Sequence, residues 1–195
     1  MNNYSEKEFI DGKKIALSKF EKAKVEYLID KDIVPTLDLI NNYEDYYTSS
    51  SCFGRILVLE IPKIGDKKKA KFLGKWHKKI STEDILATSN IAKKGQIWLL
   101  AQPPIIHLIA KNTKAADKII KIAISSSFKN SAFKSISKKI VVEIVSTERL
   151  DFPIGENGKI FCNMNQLNLL KNISNEIIDK SIKKLQIFNE KLRIG

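Results

Sequence analysis

Apolar residues recur at helical intervals near the start of the chain. Phe9, Ala16, Phe20, Ala23 and Tyr27 share one face behind Ser5-Glu6-Lys7-Glu8, a capping-box pattern. Gly12 weakens that helix without ending it. Asp32 is placed to cap a second helix, with Pro35 in its first turn and Leu37 and Ile40 inward. After residue 45 the period changes. Residues 55–61, containing Ile56-Leu57-Val58-Leu59, read as a buried strand that Pro62-Lys63-Ile64-Gly65-Asp66 breaks. Ala70, Phe72, Gly74 and Trp76 alternate with Lys71, Leu73, Lys75 and His77, which predicts a half-exposed strand over 70–77. Ser81 or Thr82 caps a short helix to about Ala92, and strands over 96–101 and 105–110 flank Pro103-Pro104. A helix over 113–126 buries Ala116, Ile119, Ile120 and Ala123. A strand over 140–145 and a turn at Gly155-Glu156-Asn157-Gly158 follow. Leu167, Leu170, Ile173, Ile177, Leu185, Phe188 and Leu192 predict a long closing helix. Helices and strands mix without regular βαβ alternation. The expected fold is α+β: one compact domain, 1–195, with a mixed sheet and flanking helices. Its parts are a helical segment 1–45, a mixed core 46–155 and a C-terminal helix 160–195.

The chain has 195 residues, 43% of them hydrophobic, enough for a full core. No apolar run approaches the roughly 18–20 residues of a membrane span, and Met1-Asn2-Asn3-Tyr4-Ser5-Glu6-Lys7 is too polar for a signal peptide. Cys52 and Cys162 are the only cysteines, which argues against a disulfide framework and for a reducing cytoplasm. Net charge is +12, and its distribution matters more than its size. Residues 62–139 hold 18 Lys against Asp66, Glu83, Asp84 and Asp117, a net of +14, while 1–61 net −3 and 140–195 net +1. A compositional bias toward Lys would enrich all three segments alike. The concentrated excess is the footprint expected for a phosphate-backbone partner.

Candidate chemistry centres on Tyr46-Tyr47-Thr48-Ser49-Ser50-Ser51-Cys52-Phe53-Gly54-Arg55. Hydroxyl side chains favour turns, Gly permits a close backbone approach, and Arg offers a planar fork for carboxylate or phosphate. The run reads either as a binding loop ahead of a strand or as an ordinary polar turn. Neither G-x-G-x-x-G nor G-x-x-x-x-G-K-[ST] occurs, so a Rossmann-like nucleotide fold is disfavoured. Cys52, His77, His107 and Cys162 have the composition of a zinc site but lack its short-spaced pairs, so no metal is expected. A Cys-His nucleophile pair is conceivable from the same residues, with no third orienting group in view. Trp76-His77 ends a strand beside lysines, where indole stacks on a base and imidazole moves a proton. His107, inside an apolar strand, also reads as a satisfied core residue, and Trp98 reads as core. Phe128-Lys129-Asn130-Ser131 supplies groups for phosphate and base edges, or is a helix-exit loop.

Taken in order, these residues resemble the tRNA wybutosine-synthesising protein 3 family, archaeal branch. Ser50-Ser51-Cys52-Phe53-Gly54-Arg55 is similar to the family's S-S-C-S-G-R loop, and Val34-Pro35-Thr36-Leu37-Asp38-Leu39-Ile40-Asn41 to its lead-in. Lys75-Trp76-His77, Pro103-Pro104-Ile105-Ile106-His107, Phe128-Lys129-Asn130-Ser131 and Glu148-Arg149-Leu150-Asp151-Phe152-Pro153 follow in the family's order. Phe53 replaces a loop Ser, and Ala132 stands where the family usually has Gly. The resemblance implies a cytoplasmic, S-adenosylmethionine-dependent methylation of the N4 ring nitrogen of 7-aminocarboxypropyl-demethylwyosine. The substrate position is 37 in tRNA-Phe. It further implies His77 or His107 as the proton acceptor. Substrate or cofactor would be held by Ser50, Ser51, Cys52, Gly54, Arg55, Trp76, Lys129, Asn130 and Ser131. A noncatalytic tRNA-binding module is the alternative expectation.

Overall fold

The structure, a computed structural model, describes residues 5–194. Ser5 starts the first helix, α1 (Glu6–Val25), through the reciprocal cap its sequence predicts. Its Oγ accepts from the Glu8 N–H at 3.2 Å and the Glu8 carboxylate accepts from the Ser5 N–H at 2.8 Å. Tyr27 does not extend the buried stripe. It lies beyond the helix at φ 55°, 93% exposed. Asp32 does not cap α2 (Val34–Asn42) either. Ile33 holds that position without a side-chain bond, and Pro35 sits in the first turn. The order continues β1 (Tyr46–Cys52), β2 (Arg55–Ile61), β3 (Lys71–Trp76), α3 (Thr82–Ser89), β4 (Gln96–Gln102), β5 (Ile105–Ala110) and α4 (Thr113–Ser125). It closes with β6 (Ala132–Ser135), β7 (Ile140–Val145), β8 (Leu150–Glu156), β9 (Lys159–Ile160) and α5 (Met164–Ile194).

The fold is α+β, as its element mixture predicts. Its strands form two sheets, β1-β5-β7-β6 and β3-β2-β4-β8-β9, with antiparallel pairing throughout, rather than one mixed sheet. The chain divides into two compact units built from interleaved segments. The first holds residues up to Phe53, Pro104–Thr147 and Ile182 onward; the second holds Gly54–Pro103 and Glu148–Ser181. Strand β4 stops where Pro103-Pro104 cannot donate to a ladder.

In the first unit, Tyr46, Ile106, Leu108, Val142 and Ile144 point from the sheet into a core shared with α2, α4 and the end of α5. Ile33, Leu37, Ile119, Phe128 and Phe188 fill that core. The Tyr46 hydroxyl donates to the Ala115 carbonyl at 2.9 Å, satisfying its one buried polar atom. On the opposite face Phe9 of α1 packs on Tyr47 and Ile109, covering one end of the sheet.

In the second unit, Ile56, Val58, Ile97, Leu99, Ala101 and Ile154 face Ile85 of α3 and Leu167, Leu170 and Ile177 of α5. Asn157 and Gly158, both at positive φ, close the β8–β9 hairpin. The Asn157 side chain also accepts from the Gly95 N–H at 2.8 Å. Glu60, buried, accepts from the N–H groups of Lys93 and Lys94 at 3.0 and 3.3 Å, and so fixes the approach to β4.

Candidate functional site

The hydroxyl run is a strand, not a loop. Tyr46–Cys52 pairs with β5, and an irregularity between Thr48 and Ser50 makes Ser50 the residue opposite His107. In the next ladder His107 lies opposite Glu143, and beyond it Glu143 lies opposite Ala132 of β6. Residues paired across antiparallel strands share a face. Ser50, His107 and Glu143 therefore form a row on the face that α1 covers only at its other end. Ser50 Oγ lies 3.0 Å from His107 Nδ1, and His107 Nε2 lies 2.6 Å from Glu143 Oε2. Lys134 Nζ donates to Glu143 Oε1 at 3.1 Å.

These partners select the tautomer of the neutral imidazole. A carboxylate only accepts, so Nε2 carries that ring's one hydrogen and Nδ1 turns its lone pair toward the Ser50 hydroxyl. Burial opposes ionisation of Glu143. Hydrogen bonds from His107 and Lys134 outweigh it and hold the carboxyl below its ordinary 4.5. The result is an oriented base backed by a carboxylate and fronted by a hydroxyl, the grouping that moves a proton from a nearby nitrogen or oxygen. Glu143 escapes a reading by motif. Its signal is a single charge in the apolar run Ile140–Val145, on the half-exposed alternate of that strand.

The other expected residues divide between the units. In the first, Ser51 and Cys52 are half-buried, and the Phe53 side chain is 4% exposed within the core. The phenyl ring at that position thus packs inward, and the Phe53 N–H donates to Asp30 Oδ2 at 3.1 Å. Lys129 and Asn130 are exposed, and the Asn130 N–H donates to the Val145 carbonyl at 3.2 Å. Ser131 is buried and uses its Oγ to accept from the Val145 N–H at 3.3 Å, a backbone tie two residues beyond Glu143. In the second unit, Gly54 takes φ 100°, and its carbonyl accepts from His77 Nδ1 at 2.7 Å. Arg55 Nε donates to Gln102 Oε1 at 3.0 Å, and its guanidinium lies 6.0 Å from the Phe72 ring centre. The Trp76 ring covers Gly74 and packs on this unit's core. Trp98, read as core from sequence, is instead half-exposed on the sheet face away from the helices. Cys162 has its thiol pushed up by burial, which suppresses the thiolate.

The family described as methyltransferase TYW3 matches residues 11–194. The tRNA(Phe) 7-((3-amino-3-carboxypropyl)-4-demethylwyosine(37)-N(4))-methyltransferase 1 of Pyrococcus horikoshii is 44% identical over 185 residues, 94% of each chain. The enzyme of Methanocaldococcus jannaschii named for the same reaction is 39% identical over 89% of this chain and 91% of its own. The solved structure of the PH1069 protein from Pyrococcus horikoshii superposes with a TM-score of 0.92 at 43% identity, covering 96% of this chain and 97% of that one. The Ser50–His107–Glu143 row sits on an α+β frame of two antiparallel sheets, in a class of methyltransferase that is not Rossmann-like. The chain belongs to the methyltransferase TYW3 family. A methyltransferase requires a methyl donor. Among the described residues, no helix is long and apolar enough to cross a membrane.

Proposed function

We propose that this protein methylates the N4 ring nitrogen of 7-(3-amino-3-carboxypropyl)-4-demethylwyosine at position 37 of tRNA(Phe), in wybutosine synthesis, with S-adenosylmethionine as donor. It would work in the cytoplasm, where tRNA is modified. The observation that carries the reading is the Ser50–His107–Glu143 row in a chain 44% identical to an enzyme named for that reaction.

When bound, S-adenosylmethionine supplies a methyl group made electrophilic by its sulfonium. The chain's own contribution is to hold the base and remove the N4 proton. Ser50 Oγ takes that proton as it passes its own to His107 Nδ1, and Glu143 stabilises the imidazolium that forms. Aligning the two reactants contributes the rest of the acceleration. His77, engaged with the Gly54 carbonyl, positions the backbone ahead of Arg55. In the second unit, Arg55 presents a planar fork of the kind suited to a carboxylate. Lys129 and Asn130 are assigned the tRNA backbone.

The residues of the first unit fit the donor at a cavity of about 430 Å³ lined by Thr113, Phe133, Lys134, Ser135 and Ile136. Its apolar walls suit an adenine ring and its hydroxyls suit a ribose. Phe133→Ala is expected to weaken S-adenosylmethionine binding in calorimetry while tRNA affinity is unchanged.

The deciding experiment incubates the protein with precursor tRNA(Phe) and S-adenosylmethionine and weighs the digested nucleosides. A gain of one methyl group on the precursor is expected. tRNA binding with no gain identifies a noncatalytic module instead. His107→Ala should lower the single-turnover rate by about 10²–10⁴ at saturating tRNA. A near-wild-type rate would remove the base from the mechanism.

A further inference from the structure

The second unit's sheet has two unlike faces. One is buried against α3 and α5. On the other, register brings Phe72 opposite Leu59 and Leu59 opposite Trp98, so an aromatic ring flanks a leucine on each side. Phe72 is 60% exposed, while Leu59 and Trp98 are half-buried. The indole N–H of Trp98 is already satisfied by Gln96 Oε1 at 3.2 Å, a neighbour on the same strand. Its ring therefore has no polar need that a core would have to meet. The two rings stand two strand spacings apart, about 10 Å, too far to stack on each other and suited to two separately splayed bases.

Charge on this face is graded. Arg55 reaches over Phe72, and Lys75 projects beside it on the edge strand β3. Lys63, Lys68 and Lys69 lie exposed in the connection leading into that strand, with Lys69 paired to Asp66. The acids Asp151 and Glu156 lie on β8, beyond β4, and Asp151 is paired with Arg149. An exposed ring flanked by cations, with a half-exposed ring beside it, is complementary to unpaired nucleotides, whose bases stack and whose phosphates are anionic.

We propose that this sheet face holds an unpaired stretch of the RNA substrate, with bases on Phe72 and Trp98 and phosphates at Lys75 and the lysines preceding β3. The proposal rests on the tRNA-methyltransferase reading above and extends it to further nucleotides of the same RNA. It is tested with the full chain, by fluorescence anisotropy on a short unmodified single-stranded RNA and on the same strand annealed to its complement. Phe72→Ala should weaken single-strand binding by about 5–100-fold and leave the salt slope unchanged, because stacking is lost and no ion is released. Phe72→Tyr should restore it. Lys75→Ala should reduce the slope of log K against log salt by about 0.7, the signature of one phosphate contact on a single strand.

Equal affinity for duplex and single strand, or a Phe72→Ala chain that binds as wild type, overturns the proposal. So does a dimer in sedimentation that Phe72→Ala dissociates with RNA affinity intact, which would assign the face to a second copy. Failure of the parent reading looks different. In that case the wild-type chain gives no methyl gain on precursor tRNA, whatever Phe72→Ala does to RNA binding.

Discussion

In the proposed mechanism His107 acts as a base while its lone pair faces Ser50, and the hydrogen bond to Glu143 holds the ring that way. Glu143→Gln removes the charge that stabilises an imidazolium but keeps the side chain's shape. The expected outcome is a kcat lower by about 10–100-fold with KM for tRNA nearly unchanged, measured in steady state. Ser50→Ala should fall in the same range, and the double variant should lose little more than either single one, since the groups act as a unit. The same carboxylate makes a stability prediction. Its folded pKa is depressed below 4.5, so its ionised form contributes stability fully above that value and loses it as pH falls through the lower folded value. The difference in Tm between wild type and Glu143→Gln should therefore narrow as the buffer is taken down through the acid range below 4.5.

At the scale of elements, β3 shows how one glycine sets a side chain. A Cβ on Gly74 would lie 2.1 Å from the Trp76 ring, so Ala at this position forces the indole off its own strand. Gly74→Ala should cost about 1–3 kcal/mol in denaturant unfolding, and most of that should return in Gly74→Ala/Trp76→Leu, which removes the clashing ring. Several elements were legible in the chain. The capping box of α1, the apolar runs of β2 and β7 and the helical stripes of α4 and α5 match their sequence patterns, except that Ile173 of the α5 stripe is exposed. Others were not, for physical reasons. Tyr46–Cys52 is a strand because β5 pairs with it, although three serines and a cysteine on its open half read as a turn. Leu150–Glu156 contains Pro153, and Ala132–Ser135 is a short, exposed edge, so neither carries the alternation that marks a strand.

For the molecule as a whole, the excess of Lys in residues 62–139 is the property suited to a phosphate-backbone partner. Affinity for tRNA should fall linearly in log K against log salt, with a slope of several units, dropping by about 10³-fold or more from 50 to 200 mM if six or more phosphates are contacted. Filter binding across that range checks it. A slope near zero would mean the lysines are only a solvated surface.

Composition, charge segregation and ordered motifs determined the class of partner, the absence of a Gly-rich nucleotide loop and the family, because each is carried by residue types and their order. They also brought Ser50 and His107 to notice, but as separate candidates. Only the tertiary structure joined them. His107 meets Ser50 and Glu143 through two ladders between segments more than 30 residues apart, and one irregularity in β1 decides which serine stands opposite. Strand register is set by long-range pairing and by which face is buried. It leaves no local mark on the sequence, which is why Glu143, a lone charge in an apolar run, became visible as the base's partner only when the sheet was assembled.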